Sequence, residues 1–255
     1  MGEPVNGPGL VLWDVDGTLL DPAGFGRDAM HTAFERLYGR PVTTQVAFAG
    51  RTDRAIVRDL LAQLGSGHTT ADTTSDATTD TTSDTTSAEF QDLAGAIAEE
   101  QRDDFLAGGG RVLPGAAEAL AALAALPGLV QSVLTGNARR IGLVKLAAAG
   151  LTDRLDLDVA AFGDHHLVRA DLVDVARNLA TRKYGVAFPP EAVVLVGDTP
   201  LDVQAALARG ATAVAVATGS FGEAELKAAG AHTVLPDLTD LPRFLAAVRP
   251  APPRR

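Results

Sequence analysis

The chain of 255 residues contains no cysteine, which excludes disulfide scaffolds, thiolate zinc sites, iron–sulfur clusters and thiol nucleophiles. Positive charge is scarce, since 32 acidic residues outnumber 22 Lys and Arg and give a formal net charge of -10. A nucleic-acid partner is not expected, because that affinity depends on cations that neutralise phosphates. No apolar run reaches the roughly 18 residues of a membrane span, and the N-terminus lacks the features of a signal peptide. We therefore expect a cytoplasmic protein with no membrane partner.

Short apolar runs alternate with segments of helical periodicity, a pattern that predicts βαβ units and a parallel sheet covered on both faces. The predicted fold class is α/β, a doubly wound parallel sheet with a Rossmann-like core. The predicted strands lie at residues 10–15, 130–134, 155–160, 193–196 and 213–217, with a weaker one at 233–235.

The first two predicted strands are separated by a long stretch that has helical periodicity. We interpret residues 20–108 as an inserted helical cap and residues 1–19 and 109–255 as the α/β core. The predicted cap helices cover residues 28–38, 53–64 and 88–106.

A low-complexity tract at residues 69–87 interrupts the predicted cap. It has an Asp at every fourth position among Thr and Ser, with almost no apolar surface to bury. This composition predicts a disordered loop. The alternative is an acidic metal-binding ribbon, but the tract lacks the Gly turn and the terminal Glu of a calcium loop.

Two acids follow the first predicted strand. Asp14 and Asp16 are two residues apart, so on an extended chain both side chains point to one face, at the end of the strand where open α/β sheets bind ligands. Two neighbouring carboxylates need either a cation between them or a proton on one of them. The alternative is that both acids only cap the following turn.

Further polar residues follow two later strands. Asp198 and Asp202 come after the strand at 193–196, and four carboxylates at one edge predict a hard divalent cation such as Mg2+. Thr135 follows the strand at 130–134 and precedes a helix, whose N-terminus favours an anion. Together these groups predict a site for a phosphoryl group.

These residues resemble the motifs of the haloacid dehalogenase superfamily. The sequence DVDGT at 14–18 matches the first motif, TGN at 135–137 the second, and GD at 197–198 with Asp202 the fourth. The resemblance covers about residues 9–218. It implies the phosphatase branch with a helical cap between the first and second motifs, similar to phosphoglycolate phosphatases.

The resemblance implies a covalent mechanism. Asp14 would be the nucleophile that attacks phosphorus, and Asp16 would protonate the leaving oxygen and later deprotonate the hydrolytic water. Thr135, Gly136 and Asn137 would bind the phosphoryl oxygens. Members of the family that remove halogens need no leaving-group acid, so Asp16 favours phosphoryl transfer over dehalogenation.

The resemblance also implies Mg2+ as the cofactor. Asp14, the backbone carbonyl of Asp16 and Asp198 would hold the ion. Asp202 would act on the metal through a water molecule or a neighbouring ligand.

The third motif departs from the family pattern. Relatives place a Lys before the helix that leads to the fourth motif, whereas this chain has Arg169. We expect Arg169 to steady Asp14 and to bind the phosphoryl group. Lys145 is the rival candidate, but it lies about ten residues after Thr135, roughly 15 Å along a helix, and is expected to point elsewhere.

The predicted cap offers one candidate for substrate recognition. Arg51 lies at the start of a predicted helix, where similar enzymes face the active site, and it could pair with a second anionic group of the substrate. The alternative is that Arg51 is a solvated charge at the end of a helix.

The leading hypothesis is a Mg2+-dependent hydrolase that acts on the phosphate monoester of a small metabolite. One alternative is a phosphomutase similar to β-phosphoglucomutase, but those enzymes use a cap histidine where this chain has Gly26, and His31 comes several residues too late. The other alternative is a catalytically silent binding protein. The sequence leaves the substrate and the oligomeric state undecided.

Overall fold

The computed structural model describes residues 8–43, 46–65 and 79–248. Five of its strands form one parallel sheet, and the predicted α/β class is confirmed. The strands in chain order are β1 (Gly9–Trp13), β2 (Leu20–Asp21), β3 (Arg111–Val112), β4 (Leu129–Val133), β5 (Val193–Gly197), β6 (Thr212–Val216) and β7 (Thr233–Leu235). The order in the sheet is β4-β1-β5-β6-β7.

Helices cover both faces of this sheet. Alternate residues of β1 enter opposite apolar clusters: Leu10 and Leu12 pack on one face, Val11 and Trp13 on the other. This two-sided burial explains why the strands are continuous apolar runs. The helices are α1 (Phe25–Tyr38), α2 (Asp53–Gly65), α3 (Thr79–Glu100), α4 (Asp104–Ala107), α5 (Ala116–Ala124), α6 (Arg139–Ala148), α7 (Arg169–Tyr184), α8 (Pro200–Ala208), α9 (Glu223–Ala228) and α10 (Leu241–Ala247).

The predicted strand at 155–160 is wrong. The 3-10 turn Leu157–Val159 occupies this segment and follows another at Thr152–Arg154. The carboxylate of Asp156 accepts a hydrogen bond from the N–H of Asp158 at 3.2 Å. Aspartate side chains compete for nearby backbone amides in this way and favour turns. An alternating Leu and Asp pattern therefore suggested a strand where the chain turns.

Helices α1, α2 and α3, here called the helical bundle, lie between β2 and β3, which pair antiparallel with each other. Their apolar faces meet in a separate cluster that includes Met30, Phe34, Ile56 and Phe90. Ile141 of α6 belongs to the same cluster, so the bundle packs against α6 of the sheet layer.

Helix α3 differs from the sequence prediction at both ends. It begins at Thr79, so residues 79–87 of the Thr/Asp tract are helical rather than a loop; residues 69–78 lie outside the described residues. Helix formation propagates outward from a packed segment, and Phe90 provides that packing. At its other end the predicted helix 88–106 breaks after Glu100, and α4 follows.

No helix within the described residues is both long and apolar enough to cross a membrane.

Candidate active site

The candidate site lies at the edge of the sheet where β1 and β5 end side by side. Trp13 pairs with Val196, and the N–H of Asp14 donates to the carbonyl of Val196 at 2.8 Å. Asp14 and Asp198 therefore leave adjacent strands at one edge.

Three buried acids converge at this edge. Asp14, Asp198 and Asp202 each place one carboxylate oxygen within 4.8 Å of the others. Burial raises the pKa of Asp14 to about 7, with further contributions from Asp202 and Asp16, although Arg169 opposes the rise. Burial and the charge of Asp14 raise the pKa of Asp198 well above its usual value. The positive charge at the cluster is therefore too small to keep all three acids ionised near neutral pH.

Arg169 provides the cation that touches the cluster. Its Nη2 lies 2.7 Å from Oδ1 of Asp14 and 2.5 Å from Oδ1 of Asp202. Burial alone would lower the pKa of Arg169, but Asp14 and Asp202 raise it overall, so the guanidinium stays charged. Its Nη1 donates to the carbonyl of Gly50 in the loop before α2 at 3.1 Å. Arg169 thus reaches Asp14, as expected from the sequence.

Two glycines form a tight cradle around the carboxylate of Asp198. A Cβ on Gly17 would lie 2.4 Å from Oδ2 of Asp198, and one on Gly219 would lie 1.7 Å from it. The hydroxyl of Thr18 donates to Oδ1 at 3.2 Å. Gly219 was not predicted, because only the fold brings the loop after β6 to this edge.

The cradle and the acid cluster fit a divalent cation. Mg2+ prefers oxygen ligands, and Asp14 and Asp198 offer two buried carboxylates beside space that side chains at Gly17 and Gly219 would fill. A cation between the two carboxylates would offset the burial that raises their pKa values. The donor set is thus chemically suited to Mg2+.

Asp202 belongs to the cluster, but its oxygens already have partners. Its Oδ2 accepts from the backbone N–H of Thr199 at 3.0 Å and from the Thr199 hydroxyl at 2.7 Å. These bonds form a capping box at the start of α8, while Oδ1 faces Arg169. Asp202 therefore orients α8 and Arg169, and its predicted contact with a metal stays a prediction.

The expectation that Lys145 points elsewhere is wrong. Its Nζ lies 2.5 Å from Oδ2 of Asp16 and 2.8 Å from Oδ1 of Asn137. Helix α6 begins at Arg139, so Lys145 is six residues into the helix, roughly 9 Å along its axis rather than 15 Å. Helical side chains lean toward the N-terminus, and the long Lys side chain spans the remaining distance.

The loop after β4 lies beside these groups. The hydroxyl of Thr135 accepts from Nδ2 of Asn137 at 2.9 Å, and the same Nδ2 lies 3.2 Å from Oδ2 of Asp16. A Cβ on Gly136 would lie 1.9 Å from the carbonyl oxygen of Arg51, so only glycine fits beneath the bundle. Thr135, Gly136 and Asn137 therefore lie at the site; their contact with a phosphoryl group stays a prediction.

Arg51 makes its ion pair within its own segment. Its Nη2 lies 2.6 Å from Oδ2 of Asp59 and donates to the carbonyl of Ala55 at 3.3 Å. Its Nη1 donates to the carbonyl of Ala47 at 3.2 Å. Arg51 borders the cavity, and Asp59 and two backbone carbonyls hold its guanidinium; its contact with a substrate anion stays a prediction.

Asp53, at the start of α2, is a buried acid that the sequence analysis missed. Its Oδ2 accepts from the N–H of Ala138 at 2.7 Å, and its own N–H donates to the carbonyl of Gly136 at 2.6 Å. Burial raises the pKa of Asp53 to about 7, although the bond from Ala138 and the charge of Lys145 lower it. An acid at a helix start is a common sequence feature, so no local signal indicated this contact.

A cavity of about 980 Å3 lies between the sheet edge and the bundle. Its sheet side includes Asp14, Asp16 and Asp198, and its bundle side includes Met30 and Phe48. The volume is at the upper end of the range for small-molecule sites.

Comparison with known proteins finds one matching family model and several solved structures with a similar fold. The family model for haloacid dehalogenase-like hydrolases matches residues 8–210. No curated protein matches the sequence.

Three similar solved structures have low sequence identity but cover nearly the whole chain. A predicted phosphatase from Clostridium acetobutylicum is 17% identical with a TM-score of 0.62, covering 94% of this chain and 99% of its own. A predicted phosphoglycolate phosphatase from Haemophilus somnus is 17% identical with a TM-score of 0.58, covering 92% and 97%. A provisionally assigned β-phosphoglucomutase from Bacteroides vulgatus is 20% identical with a TM-score of 0.63, covering 95% and 89%.

Proposed function

The chain belongs to the haloacid dehalogenase-like hydrolase family, and we propose that it hydrolyses phosphate monoesters of small metabolites with Mg2+ as cofactor. One observation carries this proposal: a buried Asp14 contacts Arg169, while Asp16, two residues later, keeps one carboxylate oxygen without a hydrogen-bond partner among the described residues. An attacking carboxylate, a cation and a second acid are the groups that a covalent phosphatase needs.

Asp14 and Asp198, with the backbone carbonyl of Asp16, would hold Mg2+. The ion would supply positive charge that keeps Asp14 ionised and compensates the phosphoryl oxygens. The cradle around Asp198 and the high pKa of Asp14 support this part of the proposal.

In the first half-reaction an oxygen of Asp14 attacks phosphorus as the bond to the leaving oxygen breaks. Asp16 transfers its proton to that oxygen, so the products are an alcohol and an aspartyl phosphate on Asp14. Arg169 holds Asp14 in place and lies where it can contact the transferring group.

In the second half-reaction water attacks the phosphorus of the aspartyl phosphate. Asp16, now ionised, takes a proton from this water, and Asp14 leaves as a carboxylate. Phosphate then departs, and the next turnover begins with Asp14 as a carboxylate and Asp16 protonated. Oδ1 of Asp16 has no hydrogen-bond partner among the described residues, which supports its giving a proton in the first half-reaction and taking one in the second.

The helical bundle would act as the cap over the substrate. It donates one backbone hydrogen bond to the loop after β4, from Asp53 to Gly136, and one to the segment after the 3-10 turn Leu157–Val159, from Arg54 to Gly163. A cavity covered in this way favours a small metabolite over a folded phosphoprotein and limits the access of water. The boundaries of this cap, residues 20–108, are proposed with it.

Two alternatives have less support. At Gly26, where a mutase would use a histidine, a Cβ would lie 2.9 Å from Nζ of Lys145, and His31 packs edge-on against Phe48 at 6.1 Å between ring centroids. For a silent binding protein, the buried acids Asp14 and Asp198 would be unfavourable without a reaction that uses them.

The test is phosphate release from p-nitrophenyl phosphate, phenyl phosphate and a panel of phosphorylated metabolites, with Mg2+ or with a chelator. We expect release that needs Mg2+ and falls at least about 1000-fold in Asp14→Asn. The matched control is Asp153→Asn, which makes the same change at an exposed position. Full activity in Asp14→Asn, or no release from any compound by the wild type, would contradict the proposal.

A further inference from the structure

Lys145 is a buried cation that the proposed reaction does not yet use. Its side chain is 2% exposed, and its Nζ lies 2.5 Å from Oδ2 of Asp16 and 2.8 Å from Oδ1 of Asn137. A buried ammonium is costly unless it is paired, so this position calls for an explanation. We infer that Lys145 is a positioning residue that, with Asn137, holds one oxygen of Asp16 and leaves the other to exchange the proton. This inference rests on the proposed function.

Three hydrogen bonds make the network directional. Lys145 can only donate, so the oxygen of the Asn137 amide faces it and the Nδ2 of Asn137 faces the other way. That Nδ2 lies 3.2 Å from Oδ2 of Asp16 and 2.9 Å from Oγ1 of Thr135. Oδ2 of Asp16 therefore receives two donors, one of them charged.

The two donors determine where a proton can reside on Asp16. Oδ2 accepts hydrogen bonds from Lys145 and Asn137. A proton on Oδ2 that pointed at either group would face another donor hydrogen. Oδ1 is buried and has no hydrogen-bond partner among the described residues. The proton that Asp16 gives to the leaving oxygen, and later takes from water, is thereby confined to Oδ1.

Gly26 of α1 leaves the space that Lys145 occupies. A Cβ at residue 26 would lie 2.9 Å from Nζ and 3.3 Å from Cε of Lys145, as well as 3.3 Å from Cγ2 of Ile141. The ammonium at the flexible end of Lys145 is the group that an added methyl would displace. Because residue 26 has no side chain, the bundle leaves Lys145 in contact with Asp16 and so helps to position that carboxylate.

The test compares two leaving groups of similar shape. Phenyl phosphate releases a poorer leaving group than p-nitrophenyl phosphate and so depends more on a proton from Asp16. The comparison uses kcat/KM, which reports the step that expels the leaving group and not the later hydrolysis. In Lys145→Met we expect kcat/KM to fall about tenfold more for phenyl phosphate than for p-nitrophenyl phosphate, within the range of acid–base catalysis. In Lys183→Met, which removes a surface ion pair with Asp156, both values should stay unchanged.

Gly26→Ala tests the same contact without removing a charged group. Alanine is at least as favourable as glycine in a helix, so a fall in the thermal midpoint would report the displaced Lys145, whose buried ammonium loses its partners. We expect the same leaving-group discrimination, about threefold to tenfold, because the methyl displaces Lys145 from Asp16. The matched control is Gly95→Ala in α3, whose Cβ would meet the side chain of Arg140, also on α6; its discrimination should match that of the wild type.

A double variant separates positioning from a general loss of structure. If Lys145 acts through Asp16, adding Lys145→Met to Asp16→Asn should change kcat/KM for phenyl phosphate by less than about threefold. Equal losses on both substrates in Lys145→Met and Gly26→Ala, or additive losses in the double variant, would overturn the inference while leaving the proposed function in place. If Lys145→Met does not fold, Gly26→Ala decides alone. No Mg2+-dependent release by the wild type from either aryl phosphate or from any metabolite of the panel would instead reject the proposed function, and the inference with it.

Discussion

The carboxylate of Asp53 in the helical bundle accepts a hydrogen bond at 2.7 Å from the backbone N–H of Ala138, next to the first residue of α6. The contact joins the proposed cap to the loop that carries Thr135 and Asn137. Burial raises the pKa of Asp53 to about 7. The docked arrangement therefore contains an acid that is partly protonated near neutral pH, and this has a measurable effect on stability.

Asp53→Asn should change how stability depends on pH. The pKa of Asp53 rises from 3.8 in the unfolded chain to about 7 in the fold, so the folded protein binds the extra proton between these values. The contribution of Asp53 to stability is then fully present below about pH 4 and is lost as the pH rises toward 7. Asparagine keeps an acceptor for Ala138 without a titrating charge, so the stability of the variant relative to the wild type should rise with pH.

This difference is measured by urea unfolding of both proteins at pH 5 and pH 8 in chelator. We expect the difference in the free energy of unfolding to shift by on the order of 2 kcal/mol in favour of the variant at pH 8. Asp153→Asn, at an exposed position, serves as the control and should show no such shift. A pH-independent difference for Asp53→Asn would show that Asp53 stays ionised in the fold.

Mg2+ should stabilise the protein, and Asp198 should be needed for this effect. An ion at about 100 times its dissociation constant adds about 2.7 kcal/mol, which raises the thermal midpoint by roughly 5 to 10 °C for a domain of this size. Asp198→Asn should abolish the rise. The readout is thermal denaturation with Mg2+ or chelator, and it needs no substrate.

Asp202→Asn provides the matching variant in the same cluster. Since Thr199 and Arg169 already contact the oxygens of Asp202, we expect this change to lower stability by about 1 kcal/mol, the usual size of a helix-cap effect. The rise in midpoint with Mg2+ should persist. Loss of that rise in Asp202→Asn would make Asp202 a direct ligand.

Gly136→Ala should disrupt the docking of the bundle. The added Cβ would lie 1.9 Å from the carbonyl oxygen of Arg51, which is backbone and cannot rotate away. We expect a loss of about 1 to 3 kcal/mol in the free energy of unfolding, as for other overpacked sites, and at least about a tenfold lower kcat/KM. Gly222→Ala, whose Cβ would meet only Glu225 at 3.8 Å, is the control. Wild-type activity in Gly136→Ala would mean that turnover does not need the docked bundle.

Arg51→Met should affect stability more than substrate choice. The guanidinium is paired with Asp59 at 2.6 Å, and such partly exposed pairs contribute about 0.5 to 1 kcal/mol. We expect kcat/KM to change by the same factor for phosphorylated metabolites with and without a carboxylate. The two classes are compared side by side in Arg51→Met and in Asp59→Asn. A loss confined to carboxylated substrates in Arg51→Met would instead identify Arg51 as a substrate-binding residue.

The order of residues along the chain determined the sheet and the acids at its edge. A strand buried on both faces is a continuous apolar run, and Asp14 and Asp198 end two such runs, so parallel pairing of β1 with β5 brings them together. These are properties of one segment at a time. Where a segment was ambiguous, at 155–160, the structure has a turn capped by the side chain of Asp156 in place of a predicted strand.

Only the tertiary structure decided the partners of the charged side chains. Lys145 reaches Asp16 because α6 starts four residues after Thr135 and because Gly26, on another element, leaves room for the ammonium. Arg51 and Asp53 are two residues apart on the chain, yet one pairs within the bundle and the other is buried against the loop after β4. The physical reason is that a long or buried ionised side chain takes the partner that packing brings within about 3 Å, and sequence spacing does not encode the register between two elements that are distant along the chain.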